Sequence, residues 1–143
     1  GFQIGGQNYL LPIDIDFSDK PSKLINHAID INSLIRENLT STNKIIFIDA
    51  CRNNPLNTTG LTSINVGEGV LVSYATESNQ FAYDGNNFLS PYTKALNMFI
   101  NEKIEISQLL RKVGNTVRIN TKNKQMPYTY SNLTTEKLFL TGP

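Results

Sequence analysis

The sequence predicts an α/β fold in which helices cover a mostly parallel sheet. Two short apolar runs, Lys44–Ile48 and Val70–Tyr74, have the composition of strands buried on both faces. Stretches with apolar residues at helical spacing lie before, between and after them, so strands and helices alternate along the chain. The chain has 143 residues, of which 39% are hydrophobic and 17% charged, as expected for one globular domain.

The first elements are a hairpin and a helix. Phe2–Ile4 and residues 9–11 flank residues 5–8, a Gly- and Asn-containing sequence that favours a turn. Apolar residues then recur at helical spacing across residues 24–35, which predicts a helix before the first buried strand. This stripe consists of Leu24, Ile25, Ala28, Ile29, Ile31, Leu34 and Ile35.

The later elements follow a polar, Gly-containing loop over residues 53–69. After the second buried strand, Ser90 and Pro91 are favourable as the N-cap and first residue of a helix that continues to Phe99. A further helical stripe is formed by Ile106, Leu109, Leu110, Val113 and Val117. Residues 128–131 and 137–140 are predicted to be the closing strands.

The single cysteine lies where α/β folds place functional groups, at the carboxyl end of a strand. Asp49 and Cys51 directly follow the first buried strand, and Ala75 follows the second. A lone cysteine is usually a small buried apolar residue. It acts as a nucleophile only where a base or an open strand end favours its thiolate.

The sequence around Cys51 carries a family resemblance. Residues 45–55, Ile-Ile-Phe-Ile-Asp-Ala-Cys-Arg-Asn-Asn-Pro, are similar to the nucleophile segment of bacterial caspase-like cysteine peptidases. These enzymes are relatives of metacaspases, orthocaspases and paracaspases, and belong to peptidase family C14 of clan CD. Further stretches match the same family in the same order, at residues 1–4 with 8–14, 69–76, 90–96 and 124–128.

This resemblance implies a caspase-like three-layer sandwich around a mostly parallel sheet. The first strands of that sheet would then lie upstream of Gly1. The chain would consist of the nucleophile-containing part of the large-subunit region (1–55), a linker (56–68) and a small-subunit-like region (69–143).

The resemblance also assigns the catalytic groups. Cys51 would be the nucleophile, and the backbone N–H groups of Gly1 and Cys51 would form the oxyanion hole. The family's catalytic histidine immediately precedes the glycine that matches Gly1, so we expect the base in the segment before it. His27, the one histidine in the chain, lies within the predicted helix and is expected to have a surface or packing role.

The residues expected to contact substrate point to cleavage after a basic residue. Caspases that cut after aspartate hold it with a glutamine two residues before the cysteine and an arginine in the groove strand. The matching positions here are Asp49 and Asp84, which would pair with arginine in preference to lysine. Asp84 also suits a turn with Gly85 and Asn86. The other expected substrate contacts are Ser73, Tyr74, Ala75, Ala82 and Tyr83.

A peptidase of this specificity could not process itself between the nucleophile and the groove strand. Residues 53–93 contain no lysine or arginine. We therefore expect an uncut chain across this range.

Composition limits the ligands and partners. Thirteen basic against twelve acidic residues give a net charge of +1, which favours neither a nucleic acid nor an anionic membrane as partner. One cysteine and one histidine cannot complete a structural zinc site, and we expect no metal or cofactor. The expected partner is a protein or peptide substrate, with a homodimer possible through an edge strand at residues 137–140. A free reactive thiol suits the reducing cytoplasm.

Other functions remain open. A catalytically inactive caspase-like domain could serve as a protein-interaction module, and the residue before Gly1 would distinguish it from an enzyme. A nucleotide-binding domain is disfavoured because no glycine-rich strand-to-helix loop is present. A serine hydrolase is disfavoured because Ser73 lies within a strand without the nucleophile-elbow motif.

Overall fold

The computed structural model describes residues 2–4, 7–12, 23, 25–50, 67–77, 82–83 and 89–142. Within these ranges the strands form two three-stranded sheets with the orders β1-β2-β3 and β4-β5-β6. The strands are β1 (Phe2–Ile4), β2 (Gln7–Leu10), β3 (Ile29–Asp30), β4 (Lys44–Ile48), β5 (Val70–Tyr74) and β6 (Tyr128–Asn132). The helices are α1 (Ile31–Ser33), a π-helical turn (Leu34–Asn38), α2 (Pro91–Phe99) and α3 (Ile106–Asn120).

The second sheet contains the two strands predicted from the apolar runs. β4 and β5 are parallel and in register from Lys44 beside Val70 to Ile48 beside Tyr74. β6 pairs antiparallel with the other edge of β5. β5 is buried along its whole length, as predicted, whereas β4 is half-buried except at Ile48. The sheet is therefore mixed, and β5 is its most buried strand.

Alternate residues of β5 pack into two different cores. Val70, Val72 and Tyr74 lie in one apolar cluster with Ile31 and Ile35 from α1 and the π-helical turn. Leu71 and Ala75 point to the opposite face, where the buried residues of α2 and α3 form the second cluster: Tyr92, Ala95, Ile106, Leu109, Leu110, Val113 and Val117. Helices thus cover both faces of the sheet, which gives the three layers expected of an α/β sandwich.

The predicted helix over residues 24–35 is wrong as a continuous element. Leu10 pairs with Ile29 and Tyr9 with Asp30, so β3 interrupts the apolar stripe and joins the hairpin sheet. Asp30 then starts α1, because its carboxylate accepts hydrogen bonds from two backbone N–H groups of the first helical turn. The hairpin is confirmed, with β1 and β2 antiparallel.

The predicted closing strand at residues 137–140 is also wrong. Residue 139 forms only an isolated bridge with Glu105, and the carbonyl of Leu138 accepts from the N–H of Ile106. The segment lies against the start of α3, and β6 is an edge strand of the second described sheet. Among the residues that the structure describes, no helix has both the length and the apolar character needed to cross a membrane.

Candidate active site

The carboxyl ends of β4 and β5 lie side by side. The N–H of Ala75 donates to the carbonyl of Ile48 at 2.9 Å, which extends the parallel pairing beyond the last residues of both strands. Asp49 and Ala75 therefore lie at the same end of the sheet, directly after β4 and β5. Parallel α/β sheets bind their ligands at the carboxyl ends of their strands, because the loops that follow the strands present side chains and free backbone groups there.

Asp49 is held at the start of α2. Its Oδ2 accepts hydrogen bonds from the hydroxyls of Ser90 and Thr93, while the residue itself is exposed to solvent. Ser90 is the N-cap of α2, and its Oγ also accepts from the N–H of Thr93 at 2.9 Å. These contacts fix the carboxylate of Asp49 at the N-terminus of α2.

Ser73 and Tyr74 are the last two residues of β5, and both are buried in the sheet. Ser73 is 1% exposed, and its Oγ accepts a hydrogen bond of 2.7 Å from the phenol of Tyr92 on α2. Burial raises the pKa of Tyr92 far above its usual range; the bond to Ser73 opposes this rise, and the charge of Asp49 adds to it. Tyr92 is thus a neutral donor that joins α2 to β5. Tyr74 is fully buried and lies near the ring of Tyr128, with centroids 6.4 Å apart.

Tyr83 is joined to the end of β5 through Gln125, a residue that the sequence did not single out for function. Ala82, the residue before it, is half-buried and packs against the second apolar cluster. The N–H of Tyr83 donates to Oε1 of Gln125 at 3.1 Å. Nε2 of Gln125 donates to the carbonyl of Ala75 at 2.9 Å. One buried amide therefore joins two of the residues expected to contact substrate, Ala75 and Tyr83. The only sequence signal for it was its place in the matching stretch 124–128.

Three predicted site residues, Gly1, Cys51 and Asp84, lie outside the described residues. Their roles stay predictions, as do those of the substrate contacts whose positions are given above. His27 is exposed in the turn that precedes β3. In the described part of the chain, no three His, Cys, Asp or Glu side chains are grouped so that they could hold a metal ion.

A cavity of about 460 Å³ opens elsewhere, between α3 and β6. It is lined on one side by helix residues that include Arg111, Gly114 and Arg118, and on the other by Thr129 and Ser131. None of the predicted site residues lines it. We therefore place the candidate active site at the ends of β4 and β5 and not in this cavity.

Comparison with known protein families identifies the family of this domain. The family model of the caspase domain, peptidase C14, matches residues 1–139. The chain belongs to the caspase family. This family is one of cysteine peptidases. The matched region includes the ends of β4 and β5 and the start of α2. No curated protein matches this chain in sequence.

A solved structure agrees with this assignment at the level of the fold. This chain is similar in structure to caspase-1 from Spodoptera frugiperda, with a TM-score of 0.58 and 20% sequence identity. The similarity covers 87% of this chain and 55% of that one, so the chain spans about half the length of the insect caspase. At this identity the likeness concerns the fold, which is the caspase-like α/β sandwich that the sequence predicts.

Proposed function

We propose that this caspase domain is part of a cysteine endopeptidase that cleaves after a basic residue, arginine in preference to lysine. The observation that supports this specificity best is the exposed carboxylate of Asp49, two residues before Cys51 and anchored at the start of α2. An acid at this position is the pattern of metacaspases and paracaspases, so we propose that the chain is of this bacterial caspase-like type.

The position of Asp49 suits it to recognise a guanidinium group. Both hydroxyl contacts go to Oδ2, and the carboxylate remains exposed at the edge from which the chain continues towards Cys51. An anchored carboxylate loses little conformational freedom when a cation binds, and it can form short charge-assisted hydrogen bonds. An aspartate side chain in the same place would be repelled. Asp84 is proposed as a second acid of the pocket.

The proposed reaction is acyl transfer through the cysteine. A histidine before Gly1 takes the proton of the Cys51 thiol, and the thiolate attacks the carbonyl carbon of the substrate's basic residue. The N–H groups of Gly1 and Cys51 stabilise the oxyanion; the peptide C–N bond then breaks, and the leaving amine takes the proton from the imidazolium. Water then hydrolyses the thioester with the same histidine as base, which restores the thiol and releases the new carboxylate.

Fluorogenic peptides that end in arginine, lysine or aspartate test this proposal. The full-length protein that contains this chain should cleave the arginine peptide fastest and the lysine peptide more slowly, and should leave the aspartate peptide intact. A Cys51→Ala variant is the control and should cleave none. Cleavage after aspartate would contradict the basic pocket. The absence of all cleavage from a folded protein, together with a residue other than histidine before Gly1, would instead support an inactive interaction module.

A further inference from the structure

Gln125 is the largest polar side chain that the structure shows as fully buried, at 0% exposure. It lies just beyond the end of α3, and its position is fixed by Thr121, the C-cap of this helix. Thr121 Oγ1 donates to the carbonyl of Val117 at 2.8 Å and accepts from the N–H of Gln125 at 3.1 Å. The backbone of Gln125 is thereby attached to the helix before its side chain makes any contact.

Both ends of the Gln125 amide bind backbone groups of distant segments. Nε2 donates a hydrogen bond to the carbonyl of Ala75, 50 residues away in sequence. Oε1 accepts one from the N–H of Tyr83, 42 residues away. A buried amide is retained when its donor and acceptor are both satisfied, because each unsatisfied group in the interior costs free energy. Here the amide joins Ala75, at the end of β5, to Tyr83.

We propose that Gln125 is a positioning residue for substrate binding, which fixes Tyr83 at a set distance from the end of β5. This proposal rests on the proposed function, because Ala75 and Tyr83 are the two substrate-contacting positions that it joins. Gln125 is buried and acts through these neighbours, so it has no part in bond making or breaking. Its loss should therefore weaken the binding of peptide more than the chemical step.

The variant Gln125→Met keeps the length of the side chain and removes both hydrogen bonds. In the full-length protein we expect KM for the arginine peptide to rise by about tenfold to hundredfold, from two backbone groups left without partners, while kcat changes by no more than about twofold. Gln108→Met makes the same change at an exposed position of α3 and should leave KM unchanged. Gln125→Leu, which also removes both hydrogen bonds, replaces Gln125→Met if that variant does not fold.

Hydrogen exchange of the free protein gives a second readout that needs no activity. The amide of Tyr83 should exchange faster in Gln125→Met than in wild type, and no faster in Gln108→Met. A folded variant with unchanged KM or unchanged Tyr83 exchange would overturn the positioning role. If the wild-type protein cleaves nothing, the proposed function fails while the exchange measurement still decides: faster exchange supports the bridge, and unchanged exchange overturns it.

Discussion

Asp49 can be tested as the acid of the pocket and as an anchor of α2 with two different substitutions. Asp49→Asn removes the charge but keeps an oxygen that can accept from the hydroxyls of Ser90 and Thr93. A hydrogen bond to a charged group contributes about 1.5–3 kcal/mol. We therefore expect kcat/KM for a peptide ending in arginine to fall by about tenfold to 150-fold.

The neutral analogue of arginine isolates this charge effect. Citrulline has nearly the shape of arginine without its charge, so Asp49→Asn should lower cleavage after arginine and leave cleavage after citrulline nearly unchanged. Glu68→Gln is the matched control, because it removes an equal charge from an exposed residue at the opposite end of β5. An arginine-to-citrulline ratio that is the same in wild type and Asp49→Asn would refute the role of Asp49 in the pocket.

Asp49→Ala should, in addition, destabilise the fold. It removes both hydrogen bonds to the start of α2, which should lower the free energy of unfolding by about 1–2 kcal/mol. Asp49→Asn, which keeps an acceptor, should lose less than about half of that amount. Urea unfolding of the two variants measures the difference, and equal stabilities would refute the anchoring of Asp49 by Ser90 and Thr93.

Three further predictions concern the scaffold and the integrity of the chain. Burial raises the pKa of Tyr92, so the folded protein resists its ionisation. Its contribution to stability is complete below the ordinary tyrosine pKa of about 10 and declines above it, by at most about 1.4 kcal/mol per pH unit. Unfolding measured from about pH 8 to about pH 11 should therefore show a steeper loss in wild type than in Tyr92→Phe, and parallel curves would contradict this. Gly67 and Gly69 both have positive φ, but only at Gly69 would a Cβ meet a backbone carbonyl oxygen, at 2.0 Å. Gly69→Ala should thus cost about 1–3 kcal/mol more stability than Gly67→Ala, and equal losses would exclude the close approach. Intact-mass spectrometry of active protein should find no break across residues 53–93, which contain no lysine or arginine; a break there would contradict self-processing limited to basic residues.

The parts of the fold set by local composition could be predicted from the sequence. β4 and β5 have the bounds that the apolar runs indicate, because strands covered on both faces of a sheet are mostly apolar along their length. α2 begins where expected because Ser90 supplies the N-cap and Pro91 suits the first helical position. The placement of Asp49 beside Ala75 followed from the rule that parallel strands end at one edge.

The parts that depend on distant contacts could not be predicted. Apolar spacing across residues 24–35 satisfies a helix, yet Ile29 pairs with Leu10, and this pairing outweighs the local preference. The role of Gln125 likewise depends on two backbone groups more than 40 residues away, which no local pattern encodes. The hydroxyl contacts of Asp49 join residues 41 and 44 positions apart, so its function as an anchor was equally hidden.

Covalent capture tests whether Cys51 is the nucleophile of a peptidase with a basic pocket. Peptide chloromethyl ketones that end in arginine or aspartate would be added to the full-length protein, and the adduct would be located by mass spectrometry. A thiolate nucleophile displaces chloride and forms a thioether. We expect a single adduct at Cys51 with the arginine reagent, far slower labelling with the aspartate reagent and none in Cys51→Ala. Preferential capture of the aspartate reagent would rule out the basic pocket, and labelling that survives in Cys51→Ala would rule out Cys51 as the nucleophile.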